Sequence, residues 1–276
     1  LAAEAFVLDG ELVVAIEGKA DFDALLQRIH PAPTRIRKLA AETPAQLILF
    51  DMLVADTREC LIGRALQDRR LALDAFAREY LKGTDRIRLS PCTADLECAK
   101  RWFLEMAGGL DGIIAKQTQA AYEPGSRTAM LKIKNYRSAD CVVGGFRYAQ
   151  KGRLVGSLLL GLYDAGDCLH HVGYTSSITA AAKEVLTKTL EAIVEPPGFT
   201  GAAPGGPSRW STGRSTEWQP LRPELVVEVQ YDHFAGGRFR HGTKLLRWRP
   251  EKRPDQCRIE QVNRESKSPL DLLELL

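Results

Sequence analysis

The chain has 276 residues, of which 45% are hydrophobic and 26% charged, with a net charge of +3. That composition excludes a disordered or fibrous chain, and the length suits two domains. No apolar run approaches the ~20 residues that cross a bilayer, and the opening LAAEAF lacks a basic start and a long apolar stretch, so a soluble cytoplasmic protein without a membrane partner is expected.

In chain order, Phe6-Val7-Leu8 and Leu12 to Ile16 flank Asp9-Gly10-Glu11, which predicts a strand, a tight turn or bulge, and a second strand. A helix is expected over 21–29, capped by Asp21, and a buried strand at Leu47-Ile48-Leu49-Phe50. Residues 64–81 give the clearest amphipathic helix, with Leu66, Leu71, Leu73, Ala77 and Leu81 on its apolar side. Another helix is predicted over 94–107, stopped by Gly108-Gly109, and a strand begins at Gly112-Ile113-Ile114-Ala115.

From about Ser138 the texture changes to strand-like runs at 141–146, 154–162 and 169–174, interrupted by one helix near 179–193 and resumed at Val226 to Tyr231. Several strands and one helix in this space fit a small closed or partly closed barrel of the OB type. Residues 195–223, rich in Pro, Gly, Ser and Thr, predict a long surface loop inside that domain. The fold class expected is therefore α+β, with a first domain over 1–137, a barrel domain over 138–264, and a tail over 265–276 that forms a short amphipathic helix.

The cysteines (Cys60, Cys92, Cys98, Cys141, Cys168, Cys257) are scattered without a Cys-x-x-Cys pair, so neither a disulfide framework nor a structural metal is indicated. Basic residues cluster late in the chain: Arg238, Arg240, Lys244, Arg247, Arg249, Lys252, Arg253 and Arg258 face only Glu251 and Asp255. Such an excess suits a polyanion. Three further features lie at predicted strand edges: Asp9-Gly10-Glu11, Asp111-Gly112 through Lys116, and Lys132-Ile133-Lys134. Singly, an Asp-Gly turn is most often only a turn, and an alternating Lys pair marks a solvated strand face. Together they offer carboxylates and ammonium groups suited to a divalent metal and a nucleoside phosphate, because Mg²⁺ takes carboxylate, phosphate and water oxygens while lysines neutralise the transferring group.

The segments FVLDGELV, LILFDML, GLDGIIAK, MLKIKNYRSADCVVGGF and FRHGTKLLRWRPEK resemble, in order, the third, third-a, fourth, fifth and sixth nucleotidyltransferase motifs of ATP-dependent DNA ligases, especially the bacterial two-domain type. The resemblance implies a nucleotidyltransferase (adenylation) domain followed by an OB-fold barrel, with ATP and Mg²⁺ or Mn²⁺ as cofactors and nicked duplex DNA as the partner. End-joining or repair proteins would be further partners, and the nucleoid the place of work. It implies that Glu11 contacts the AMP ribose or orders the metal with Asp9 supporting the turn, that Phe50 stacks on adenine, and that Asp111 is the second metal carboxylate. The superfamily mostly carries Glu at that last position. Lys132 and Lys134 would hold the α-phosphate with help from Lys116, and Arg247, Arg249 and Lys252 would clamp the β- and γ-phosphates when the second domain closes. Arg209, Arg238, Arg240 and Lys244 would face DNA, along with Trp210, Arg214 and Arg222 of the loop, while Trp248 would pack into the barrel.

In the family a nucleophilic lysine opens a Lys-x-Asp-Gly motif upstream of the third motif and carries AMP before it passes to the nick. No such motif occurs in this sequence; the nearest imitations are Lys19-Ala20-Asp21-Phe22 and Lys82-Gly83-Thr84-Asp85. The expectation is a chain truncated on its N-terminal side and unable to adenylate itself. An RNA ligase or capping nucleotidyltransferase, and a DNA-binding OB protein without catalysis, are the competing readings.

Overall fold

A computed structural model describes residues 1–16, 19–29, 32–105, 112–205 and 217–263. The chain divides into two compact units, Leu1–Lys134 and Asn135–Glu265.

In unit 1, β1 (Val7–Ile16) is one continuous strand rather than two, pairing with β2 (Lys19–Ala20) and antiparallel with β3 (Ala45–Val54). Asp9-Gly10-Glu11 does not reverse the chain, because both flanking apolar runs find partners along β3. Gly10 has the reason for its identity there: a Cβ would lie 2.8 Å from the Ile48 carbonyl oxygen. Helix α1 (Phe22–Leu26) is capped by the Asp21 carboxylate, as expected, but is only one turn long. Helix α2 (Pro33–Glu42), with proline in its first turn, has no counterpart in the sequence reading.

Helix α3 (Leu66–Tyr80) supplies the core of the unit. Leu73 and Phe76 pack with Leu49 and Met52 of β3, and Phe6 meets Phe76 at 4.8 Å between ring centroids. Leu71, expected on the apolar side, is 66% exposed, whereas Arg69 is buried on the Leu73 and Phe76 stripe. Strand β4 (Ile87–Leu89) joins β3 in parallel, and α4 (Leu96–Glu105) follows. The hairpin of β5 (Gly112–Lys116) and β6 (Met130–Lys134) forms a separate antiparallel pair.

Unit 2 is built on β7 (Arg137–Tyr148), whose first half pairs with β11 (Val226–Tyr231) and whose second half pairs with β10 (Gln219–Pro220). Strands β8 (Val155–Tyr163) and β9 (Leu169–Thr175) extend one side, and β14 (Lys244–Trp248) extends the other, giving the order β14-β11-β7-β8-β9. Leu158, Leu159, Leu160 and Leu162 are all buried, so β8 is covered on both faces. Helix α5 (Ala180–Glu191) contributes Leu190 to that core, and its Thr187 hydroxyl accepts from the Val155 amide at 2.9 Å.

Among the described residues no continuous ladder closes the sheet. Its outer strands meet at one bridge, Thr175 with Thr243, where the Thr175 hydroxyl donates to the Thr243 carbonyl at 2.9 Å. This is a partly open barrel. The hairpin of β12 (Phe234–Ala235) and β13 (Arg238–Phe239) turns at Gly236-Gly237, both with positive φ, as a two-residue hairpin connection requires.

The expected surface loop is a surface loop only in part. Phe199 and Leu221 are buried, and Phe199 and Trp218 pack over Gly144 and Gly145, where a Cβ would lie 2.6 Å from the ring in each case. The intervening residues 206–216, which include Arg209, Trp210 and Arg214, lie outside the described residues, as do Asp111, Gly108-Gly109 and the predicted tail helix.

Candidate functional site

The most chemically loaded region of unit 1 lies where β1 and β3 slip register. Gly10 pairs with Leu49 and Asp9 with Asp51, so Phe50 is an extra, unpaired residue of β3. A bulge of this kind re-aims a side chain and bends the strand. Asp9 and Glu11, two residues apart on the same strand, share a face of β1. The Glu11 side chain is exposed and accepts from the Leu12 amide at 3.2 Å.

Each aspartate at the bulge is held. Asp51, 1% exposed, is gripped bidentately by Arg69, with Nε to Oδ1 at 2.8 Å and Nη2 to Oδ2 at 2.9 Å. Arg69 also donates to the carbonyls of Arg64 and Ala120, so a nearly dry guanidinium has its hydrogen bonds satisfied. The Tyr122 hydroxyl donates to Asp9 Oδ2 at 2.7 Å, and that bond to a carboxylate pushes the phenol up from its ordinary pKa. The Arg69 guanidinium lies 5.7 Å from the Tyr122 ring centroid and links the two pairs.

The β5–β6 hairpin brings Lys116 to this place and carries two more lysines on the same face. Its register sets Lys116 opposite Met130, Ile114 opposite Lys132 and Gly112 opposite Lys134, so Lys116, Lys132 and Lys134 share one face. Gly112 is required at the start: its φ is 151°, and a Cβ would lie 2.0 Å from the Ile133 carbonyl oxygen. The Lys116 ammonium sits 4.7 Å from the Phe50 ring centroid and 4.0 Å from Asp51 Oδ2. Burial lowers its pKa, and the nearby Asp51 and Asp9 carboxylates oppose that shift.

In unit 2 the predicted phosphate cations are paired with carboxylates. Arg247 donates to Glu228 at 2.7 Å across β14 and β11. Arg249 Nη1 and Lys252 Nζ divide the two oxygens of Asp140, at 2.8 and 2.7 Å, and Arg249 also meets Glu251. The Gln261 side-chain amide clasps the Asp140 backbone, donating to its carbonyl and accepting from its amide, both at 2.9 Å. Arg238, Arg240 and Lys244 are exposed, the first two flanking the buried Phe239 that anchors the hairpin. Trp248 is 37% exposed beside Val185, Leu186 and Leu225 rather than sunk in the barrel core.

Comparison with known proteins decides the family. Residues 1–134 match a family described as ATP dependent DNA ligase domain, and residues 151–252 match ATP dependent DNA ligase C terminal region. DNA ligase C of Mycobacterium tuberculosis is 41% identical over 273 residues, covering 94% of this chain and 76% of that protein. The chain belongs to the ATP-dependent DNA ligases. DNA ligase C2 of Mycolicibacterium smegmatis is 40% identical, with 93% of this chain and 76% of the relative covered. A solved Lig E DNA ligase shares the fold with a TM-score of 0.54 at 16% identity, over 88% of this chain and 76% of that one.

Unit 1 thus carries the nucleotidyltransferase fold of a DNA ligase, unit 2 carries the OB fold, and ATP is the family's cofactor. An RNA ligase or capping enzyme is set aside by the same family match. Of the ligase residues expected from sequence, the structure gathers Asp9, Phe50 and Lys116 in one cluster, places Lys132 and Lys134 on the Lys116 face of the hairpin, and sets Glu11 on the Asp9 face of β1. Arg69, Tyr122 and Asp140 were not foreseen. The signal for Arg69 was present: it precedes Leu73 by four residues and Phe76 by seven, so a charge falls on the apolar stripe of its helix.

Proposed function

We propose that the Phe50 bulge and the β5–β6 hairpin form the adenylate pocket through which this ligase chain serves the sealing of nicks in duplex DNA. The observation that carries the reading is the Lys116 ammonium 4.7 Å over the Phe50 ring, on the hairpin face that also bears Lys132 and Lys134. An aromatic platform and three cations on one face suit a purine attached to a phosphate. Lys116 occupies one side of the ring, and the base would take the other.

Glu11 fits a magnesium ion in its donor chemistry: it is an exposed carboxylate, whereas the neighbouring Asp9 and Asp51 are engaged by Tyr122 and Arg69. Among the described residues no group of three or more His, Cys, Asp or Glu is placed to hold a metal. Magnesium asks for less, since it binds through one or two carboxylates with phosphate and water. In this reading Glu11 and Asp111 would hold it, and it would supply charge to the phosphate oxygens. Lys132 and Lys134 neutralise the α-phosphate and orient it. Where the family's adenylation step runs, Arg247, Arg249 and Lys252 would exchange their carboxylate partners for the leaving pyrophosphate, and Arg209, Arg238, Arg240 and Lys244 provide charge for DNA. Partners from end joining or repair, and work at the nucleoid, belong to the same proposal and rest on sequence resemblance alone.

Two assays on the chain test this without its own adenylation. Etheno-ATP with magnesium reports binding by fluorescence, and a nick already carrying 5′-adenylate reports sealing. Phe50→Leu is expected to weaken etheno-ATP binding about tenfold, because stacking on an aromatic is worth ~1–3 kcal/mol per base, and Lys132→Ala is expected to slow sealing. Unchanged binding in a folded Phe50→Leu protein would sink the pocket.

A further inference from the structure

Tyr122 and Arg69 stand outside the motif residues, yet they close a ring of contacts around the bulge. The Tyr122 hydroxyl holds Asp9 at 2.7 Å, Arg69 holds Asp51 through two bonds, and Asp9 and Asp51 face each other across β1 and β3 on the flank of Phe50. Asp51 also accepts from the Met52 amide at 2.9 Å and lies 4.0 Å from Lys116, whose ammonium sits over the Phe50 ring. Both holding groups come from outside the two strands: Arg69 from α3, and Tyr122 from the segment after β5, which is pinned to the start of α3 by the Gln67 amide on the Thr118 carbonyl and the Leu66 amide on the Ala120 carbonyl, both at 3.0 Å. A bulge alone leaves its extra residue without a ladder partner and free to shift. Fixing both flanking carboxylates removes that freedom.

We propose that Tyr122 and Arg69 are positioning residues of the nucleotide pocket, clamping Asp9 and Asp51 so that the Phe50 ring and the Lys116 ammonium keep the separation into which an adenylate fits. The proposal rests on the reading of Phe50 and Lys116 given above. Tyr122 holds Asp9 through its hydroxyl, while its ring packs beside Arg69 and its backbone amide is bonded to the Ile62 carbonyl, contacts that a phenylalanine would keep. Arg69 acts through its fork, which a lysine cannot reproduce.

The test uses Tyr122→Phe, which deletes one oxygen, with Arg69→Lys as the second variant. The Lys116 ε-methylene protons, held over an aromatic ring, are expected to show an upfield NMR shift, which Phe50→Leu should abolish and thereby assign. In Tyr122→Phe that shift is expected to shrink, and the Kd for etheno-ATP to rise about fivefold, as loss of part of a hydrogen bond to a charged group implies. The thermal melt is expected to stay close to that of the parent. Arg69→Lys should do the same more strongly; if it fails to fold, Tyr122→Phe alone decides. A folded Tyr122→Phe with the parent's shift and affinity would overturn the proposal, as would a changed shift with unchanged affinity, which would make the contact structural only. Normal etheno-ATP binding by Phe50→Leu would instead remove the pocket reading on which the proposal stands.

Discussion

Replacing Asp140 by Asn tests how the cationic end of unit 2 is held. One carboxylate serves two cations, Arg249 at 2.8 Å and Lys252 at 2.7 Å, with side-chain exposures of 13%, 20% and 25% for Asp140, Arg249 and Lys252. Two unit charges about 4 Å apart attract by ~1 kcal/mol in water and ~4 kcal/mol at an effective dielectric near 20. Partial exposure places these pairs between the limits, and desolvation and rotamer entropy offset much of the gain. A net of about 1 kcal/mol for each contact gives a loss of about 2 kcal/mol for Asp140→Asn. Asparagine retains the shape and an acceptor oxygen, and the backbone stays in the clasp of Gln261, so the loss isolates the charge. Urea melts should show a midpoint lower by about 1 M, for a slope of ~1–3 kcal/mol per M. The deficit should narrow in 1 M salt, where screening acts over ~3 Å. A variant as stable as the parent, or a deficit that salt does not touch, would refute the charge account and leave Gln261 as the fastener.

Other outcomes follow from single positions. Burial, with Arg147 and Arg238 nearby, lowers the His171 pKa to about 4. The unfolded chain then takes up a proton as the pH falls through about 6.5, while the folded chain resists until about 4, so stability should fall across that window by up to about 3 kcal/mol. A His171→Leu protein should lack that slope, and an NMR titration placing His171 near 6.5 would end the claim. Gly112→Ala should cost more than about 3 kcal/mol, since the new Cβ meets the Ile133 carbonyl at 2.0 Å. It should also abolish etheno-ATP binding by displacing β6; a folded variant that binds normally would show the hairpin to be dispensable. Because the sequence contains no Lys-x-Asp-Gly, incubation with α-labelled ATP and magnesium should leave no label on the denatured chain, and retained label would reveal another nucleophile.

The adenylation step and the sealing step make different demands on this chain. Attack on ATP needs an amine nucleophile, whereas displacement of AMP from an adenylated nick needs the phosphate to be oriented and its charge neutralised, which are the tasks proposed for Lys132 and Lys134. The preadenylated nick therefore tests the residues this chain contains.

Much of the architecture could be read directly from sequence, for local reasons. Helix α3 shows its period because one face meets water, and β8 shows as an unbroken apolar run because neither face does. The order of the motif segments carried the family, and with it the identity of Phe50, Lys116, Lys132 and Lys134 as candidates. Helix α2 escaped because Thr34, Arg35, Arg37 and Lys38 leave it short and poor in apolar residues; its single buried residue is Leu39. Asp9-Gly10-Glu11 left a turn and a bulge both open, because an Asp-Gly pair looks the same in a hairpin and at a bulge, and the structure has the bulge. Only a partner strand in register with both flanks distinguishes them.

What tertiary structure alone decided is which charges meet. Asp51 and Arg69 are 18 residues apart, Asp9 and Tyr122 113 apart, and Asp140 and Lys252 112 apart. No periodicity spans such distances, since local sequence fixes only which face a side chain takes. The pairing of faces depends on register, on the extra residue at Phe50, and on the exclusion of water that makes an unpaired charge costly.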